Sequence, residues 1–121
     1  MQTVPVHQFS RITPAILAQS IKPLIEREAD RLKRNLERAE RKGLPATLTL
    51  AQWLQILARY KWACAFCRGP YESIEHMTRL ADGGGTTADN CCPCCLSCNQ
   101  QRGKFADQEV QIRHTNSQLV S

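Results

Sequence analysis

"SIEHMTRLADGGGTTADNCCPCCLSCNQ", residues 73–100, carries five of the chain's seven cysteines between Cys91 and Cys98. Three C-x-x-C pairs can be drawn inside that cluster: Cys91 with Cys94, Cys92 with Cys95, and Cys95 with Cys98. A C-x-x-C turn presents two thiolates to one cation, and two such turns complete a tetrahedral zinc site. The partner turn is unambiguous, because Cys64 and Cys67 in "WACAFCRG" are the only cysteines outside the cluster. Of the three choices, only Cys95/Cys98 runs directly into a helix-compatible stretch, "NQQRGKFA", and leaves Cys91 and Cys92 for a strand. The loop between the two turns is longer than a simple four-cysteine finger needs, so something else is built there. Within it "SIEHM" is strand-like, Gly83, Gly84 and Gly85 ask for unusual backbone angles, and Asn90 closes the loop.

Taken in order, the frame is C-x-x-C, then Glu75-His76, then a glycine pair followed after five residues by Asn90, then C-x-x-C-Asn99. Over about residues 60–105 this resembles the HNH endonuclease family, built on a ββα-metal (His-Me) finger. In that family the second zinc pair begins five residues after the motif Asn. The resemblance thus implies Cys64, Cys67, Cys95 and Cys98 as ligands of a structural Zn2+, with Cys91, Cys92 and Cys94 at positions usually filled by apolar strand residues. Cysteine is a small, readily buried hydrophobe, so that replacement is mild. The resemblance further implies His76 as the catalytic base, Asn90 as the residue that orients it, and Glu75 with Asn99 as ligands of a catalytic Mg2+ or Mn2+. Arg102 and Lys104 fall where the family carries phosphate-contacting residues. Two departures stand out: Glu75 replaces the commoner Asp or His, and the third motif letter is Asn99 rather than His.

The residue types suit that chemistry. Phosphodiester hydrolysis needs a base for water and positive charge on the developing oxyanion. An imidazole can take the proton, and carboxylate and amide oxygens suit a hard cation.

The chain has 121 residues, one domain's worth, with 42% apolar and 22% charged residues, a composition of ordinary globular proteins. With seven aromatics its core is modest, and a metal staple is useful at this size. No charged-then-apolar leader opens the chain and no run approaches a membrane span, so a cytoplasmic protein without a membrane partner is expected. Reduced thiols in that compartment favour metal over disulfides. The net charge is +5, and the basic excess lies in residues 1–62, which hold eleven Lys/Arg against five Asp/Glu. That asymmetry favours a polyanionic partner, here DNA, but charge alone also fits a merely solvated face.

Thr13-Pro14 reads as a helix start and Gly43 with Pro45 as a stop, predicting a helix over most of 14–42. Leu17, Ile21, Leu24, Ile25, Ala29, Leu32, Leu36 and Ala39 define an apolar stripe. The opposite face alternates acids with bases, among them Arg31, Arg34 and Arg38 as candidate phosphate contacts. Pro23 predicts a kink or break near 19–23. Thr49 and Gln52 form a capping-box pattern opening a packing helix over 50–60, with Trp53 on its apolar face.

The expected architecture is α+β: N-terminal helices over 1–48, a small zinc-stabilised ββα-metal finger over 49–106, and a tail over 107–121. Two function classes compete. One is a metal-dependent DNA endonuclease, of low sequence specificity or acting within a larger phage, defence or ribonucleoprotein assembly. The other is a noncatalytic zinc-stabilised nucleic-acid-binding or adaptor protein.

Overall fold

The computed structural model describes residues 13–101. Arg102, Lys104 and the tail therefore lie outside the described residues. The chain divides into two compact units, Met1–Asp30 and Arg31–Ser121, with the division inside the first helix.

Helix α1 spans Pro14–Arg41. Thr13 caps it: its hydroxyl accepts from Ile16 N–H and its carbonyl from Leu17 N–H. At the other end Gly43 takes the left-handed conformation at φ 69°, and Leu44 N–H reaches back to the Ala39 carbonyl. This is a Schellman close that glycine permits without strain. Of the kink or break predicted near 19–23, the break does not occur, since α1 continues through Pro23. Proline there forfeits one ladder bond, to the Gln19 carbonyl, and the turns on either side hold the helix. The apolar stripe also divides: Leu32 and Ala39 are buried, whereas Leu17 and Ile21 are 49% and 40% exposed. Periodicity marks which face is apolar, not how far along the helix that face is covered.

Helix α2, Leu50–Arg59, opens on the predicted capping box. Thr49 Oγ1 accepts from Gln52 N–H, and Gln52 Oε1 accepts from Thr49 N–H, satisfying two otherwise unpaired donors. Its apolar face buries Trp53, Ile56 and Leu57.

Strands β1 (Ser73–His76) and β2 (Cys91–Cys94) pair antiparallel, with Glu75 opposite Cys92 and His76 opposite Cys91. A short six-residue helix, α3 (Leu96–Gln101), follows β2. The arrangement is α+β, a two-strand, one-helix finger preceded by helices. Pro93 can sit in β2 because a two-stranded sheet has only edges. Its carbonyl accepts from Ala65 N–H, stitching the first cysteine turn to the strand.

One core forms where Leu32 of α1, Trp53, Ile56 and Leu57 of α2, Leu48, and Ile74 and Cys91 of the hairpin meet. The other two strand cysteines pack separately: Cys92 against Met77, and Cys94 beside Cys64 and Cys95. All three serve as apolar side chains. No helix among the described residues is long and apolar enough to cross a membrane.

Candidate active site and metal centre

The loop between the strands is a folded unit. Asn90 stands at its base, where Oδ1 accepts from Thr78 N–H while Nδ2 donates to the Thr78 and Gly85 carbonyls. The Asn90 carbonyl accepts from Met77 N–H, extending the hairpin by one bond. A short side chain with one acceptor and two donors thereby closes the loop, which neither Asp nor Gln reproduces in both polarity and reach.

The three glycines have three separate reasons. Gly83 lies at φ 91° and ends the 3-10 turn Leu80–Asp82. A Cβ on Gly84 would collide with the Thr78 carbonyl, and one on Gly85 would come within 2.4 Å of the Pro45 carbonyl oxygen. Only the first needs the backbone freedom of glycine. The other two need its missing side chain, because the loop is pressed against its neighbours on both sides.

That pressing brings Thr86 into place. Its N–H donates to the Pro45 carbonyl, and its carbonyl accepts from Thr47 and Leu48 N–H. The Thr86 side chain, fully buried, lies 2.9 Å by its oxygen from Nε2 of His76. His76 itself is 5% exposed at the end of β1. The neighbouring Glu75 is buried too, and its Oε1 accepts from the His76 backbone N–H. Asn99 sits exposed on α3, its N–H donating to the Cys95 carbonyl. The hairpin thus carries Glu75 and His76 side by side, Asn90 bonds to the loop, and the hydroxyl on the imidazole belongs to Thr86. Nothing in the sequence marks Thr86 apart from its place after the glycines.

The four sulfurs of Cys64, Cys67, Cys95 and Cys98 all lie within 4.8 Å of one another, and those of Cys67 and Cys95 are 3.6 Å apart. Zinc–sulfur bonds of about 2.3 Å place tetrahedral sulfurs about 3.8 Å apart, so this donor set fits a structural Zn2+. Backbone N–H groups point at the sulfurs, Gly69 to Cys67 and Cys98 to Cys95. Burial raises Cys64, but N–H groups of Cys67, Cys95 and Phe66 outweigh it and bring that thiol down to about 7. At Cys67 the Gly69 N–H lowers the thiol, yet the Cys95 and Cys64 sulfurs leave it raised. Burial, then the Cys95 and Cys67 sulfurs, raise Cys98 well above the thiol range. Sulfurs this crowded ionise together only around a cation.

The strand thiols are of a different kind. Burial above all pushes Cys91 up to about 12 and raises Cys92 and Cys94 as well, so they stay protonated. A zinc site needs thiolates, and these three lie outside the four-sulfur group.

Arg31, a candidate phosphate contact, stacks its guanidinium 5.2 Å over the Tyr71 ring. Arg34 and Arg38 are exposed on α1.

Among known proteins, the family model described as HNH endonuclease matches residues 64–105. No curated protein and no solved structure matches the chain. From the first knuckle cysteine through the stapled loop to α3, residues 64–105 are thus a domain of the HNH endonuclease family.

Proposed function

We propose that this chain is a divalent-metal-dependent endonuclease that hydrolyses phosphodiester bonds in DNA, with low sequence specificity of its own and its target set by a larger assembly. The observation that carries this reading is the pairing of a buried His76 with Glu75 on one strand, its ring held by a hydroxyl, inside a hairpin clamped by a four-sulfur knuckle.

In this reading His76 takes the proton from the attacking water as its oxygen bonds to phosphorus and the P–O bond to the leaving oxygen breaks. Burial fixes the imidazole against rotation, so no reorientation is needed at the moment of transfer. The carboxylate of Glu75 and the amide oxygen of Asn99 would supply oxygen donors of the kind Mg2+ or Mn2+ prefers. When bound, that cation supplies positive charge to the phosphate oxygens as negative charge develops. Asn90 keeps the loop closed behind His76, and Arg34, Arg38, Arg102 and Lys104 attract the phosphate backbone. The knuckle, with all four positions filled by cysteine, is structural.

The test compares wild type with His76→Ala on supercoiled, linear and single-stranded DNA in Mg2+, Mn2+ and chelator, with zinc measured on the same preparations. Expected are cleavage by wild type, a loss of roughly 100- to 10,000-fold in the variant, and one zinc per chain in both. Wild-type rates in His76→Ala would sink the proposal. Salt-dependent duplex binding with no cleavage under any divalent metal would instead identify a noncatalytic binding protein.

A further inference from the structure

The Thr86 hydroxyl has one proton and two polar neighbours. Its oxygen lies 3.1 Å from the backbone carbonyl oxygen of Asn35 and 2.9 Å from His76 Nε2. A carbonyl can only accept, so the hydroxyl proton is committed to Asn35. Toward His76 the same oxygen must then accept, which requires a proton on Nε2. In the neutral ring that leaves Nδ1 as the accepting nitrogen, because a neutral imidazole carries one N–H.

We propose that Thr86 is a positioning residue for His76: anchored on the Asn35 carbonyl of α1, its hydroxyl holds the imidazole in the Nε2–H tautomer, with Nδ1 as the proton-accepting atom. The inference rests on the reading of His76 as the base. It also enlarges the site, since Asn35 lies outside the segment matched by the HNH family. Helix α1 becomes part of the apparatus that sets the base.

Each link in the relay is rigid. Thr86 is fully buried, with its N–H bonded to Pro45 and its carbonyl accepting from Thr47 and Leu48. Asn35 is buried within a regular helix, and its side-chain amide donates to the Arg31 carbonyl. Neither group can turn to offer a different atom without breaking bonds in a water-poor interior, where an unmet polar group costs about 1–3 kcal/mol. A hydroxyl that is free to rotate can donate or accept; one fixed on a carbonyl dictates the tautomer of its neighbour.

The test uses Thr86→Val, which keeps the shape and removes the hydroxyl, and Thr86→Ser, which keeps the hydroxyl. Side-chain 15N spectra are recorded on the full chain with His7 and His114 replaced by Gln, leaving His76 as the sole imidazole. Cleavage kinetics and zinc content are measured alongside. Expected is a single Nε2–H tautomer in the Thr86 parent and in Thr86→Ser, mixed tautomers in Thr86→Val, and a roughly 10- to 100-fold fall in kcat with KM little changed in Thr86→Val alone. An Nδ1–H ring in the parent overturns the inference without any kinetic measurement, and so holds even where Thr86→Val fails to fold. An unchanged tautomer in a folded Thr86→Val also overturns it, as does wild-type kcat in that variant when His76→Ala is inactive. Full activity in His76→Ala is a different result, removing the base reading itself.

Discussion

Substitution of Gly85 by alanine separates two reasons a chain can require glycine: space and backbone angle. Gly85 does not occupy the left-handed region, so an alanine is acceptable to its own backbone, yet its Cβ would lie 2.4 Å from the Pro45 carbonyl oxygen and 2.9 Å from the Pro45 Cβ. Neither atom is the end of a flexible side chain. To relieve the overlap the 45–48 segment must move off the loop, and that segment is held by three bonds: Thr86 N–H to Pro45, Thr47 N–H to Thr86 and Leu48 N–H to Thr86. At about 1 kcal/mol net for each bond, the expected loss is about 2–4 kcal/mol. The reference is Gly43→Ala, where a Cβ meets nothing within 4 Å but φ is +69°; backbone strain alone there costs roughly 1 kcal/mol. Urea unfolding in zinc-replete buffer, read by tryptophan fluorescence, reports on this unit because Trp53 and Trp62 both belong to it. In thermal unfolding the difference corresponds to a Tm fall of roughly 10–20 °C for Gly85→Ala against about 5 °C for Gly43→Ala. If Gly85→Ala unfolds no earlier than Gly43→Ala, the contact between the glycine turn and Pro45 does not hold the site together.

Cys98→Ser or Cys67→Ser should abolish stoichiometric zinc binding, whereas Cys91→Ala should keep one zinc per chain and lose about 1 kcal/mol of stability from the small cavity, both read by metal analysis and unfolding. Raised Cys67 and Cys98 thiols mean that zinc uptake displaces protons, so affinity rises with pH and the stability contributed by the metal is lost as pH falls; a competition titration with a chromogenic chelator at several pH values measures the slope. Native protein with zinc bound should leave Cys91, Cys92 and Cys94 unmodified by a thiol reagent until the fold is opened, because burial holds them protonated. Thr49→Ala removes half of the capping box and should cost about 1 kcal/mol in urea unfolding without affecting metal content.

Local chemistry was legible wherever the determining partners were near in sequence. Thr49 and Gln52 are three residues apart, and the box they predict is present. The cysteine register needed the whole motif, because spacing left three pairs open and only Cys95/Cys98 joins the four-sulfur group. Pro23 does not break α1, because one missing donor weighs little in a 28-residue helix. The stripe at Leu17 and Ile21 misled for another reason: it is as periodic as the one at Leu32 and Ala39, and only the latter is buried. Least legible was the surrounding of His76. The Asn35 carbonyl is 51 residues from the threonine it anchors and carries no side-chain signature at all. The glycines pointed to unusual angles, yet at Gly84 and Gly85 the demand is for room, which only the packed loop reveals.

A cation held by the two cysteine turns also joins points of the chain 28 residues apart. A covalent link across that span would remove about 3.5 kcal/mol worth of freedom from the unfolded chain. A link made of coordinate bonds would instead stay closed to thiol reductants and open to acid and chelators. The two ends of the hairpin thus call on different means: an amide side chain fastens the His76–Cys91 end, and at the Ser73–Cys94 end metal on the four sulfurs would act as a latch whose strength follows the free metal concentration rather than the redox state of the surroundings.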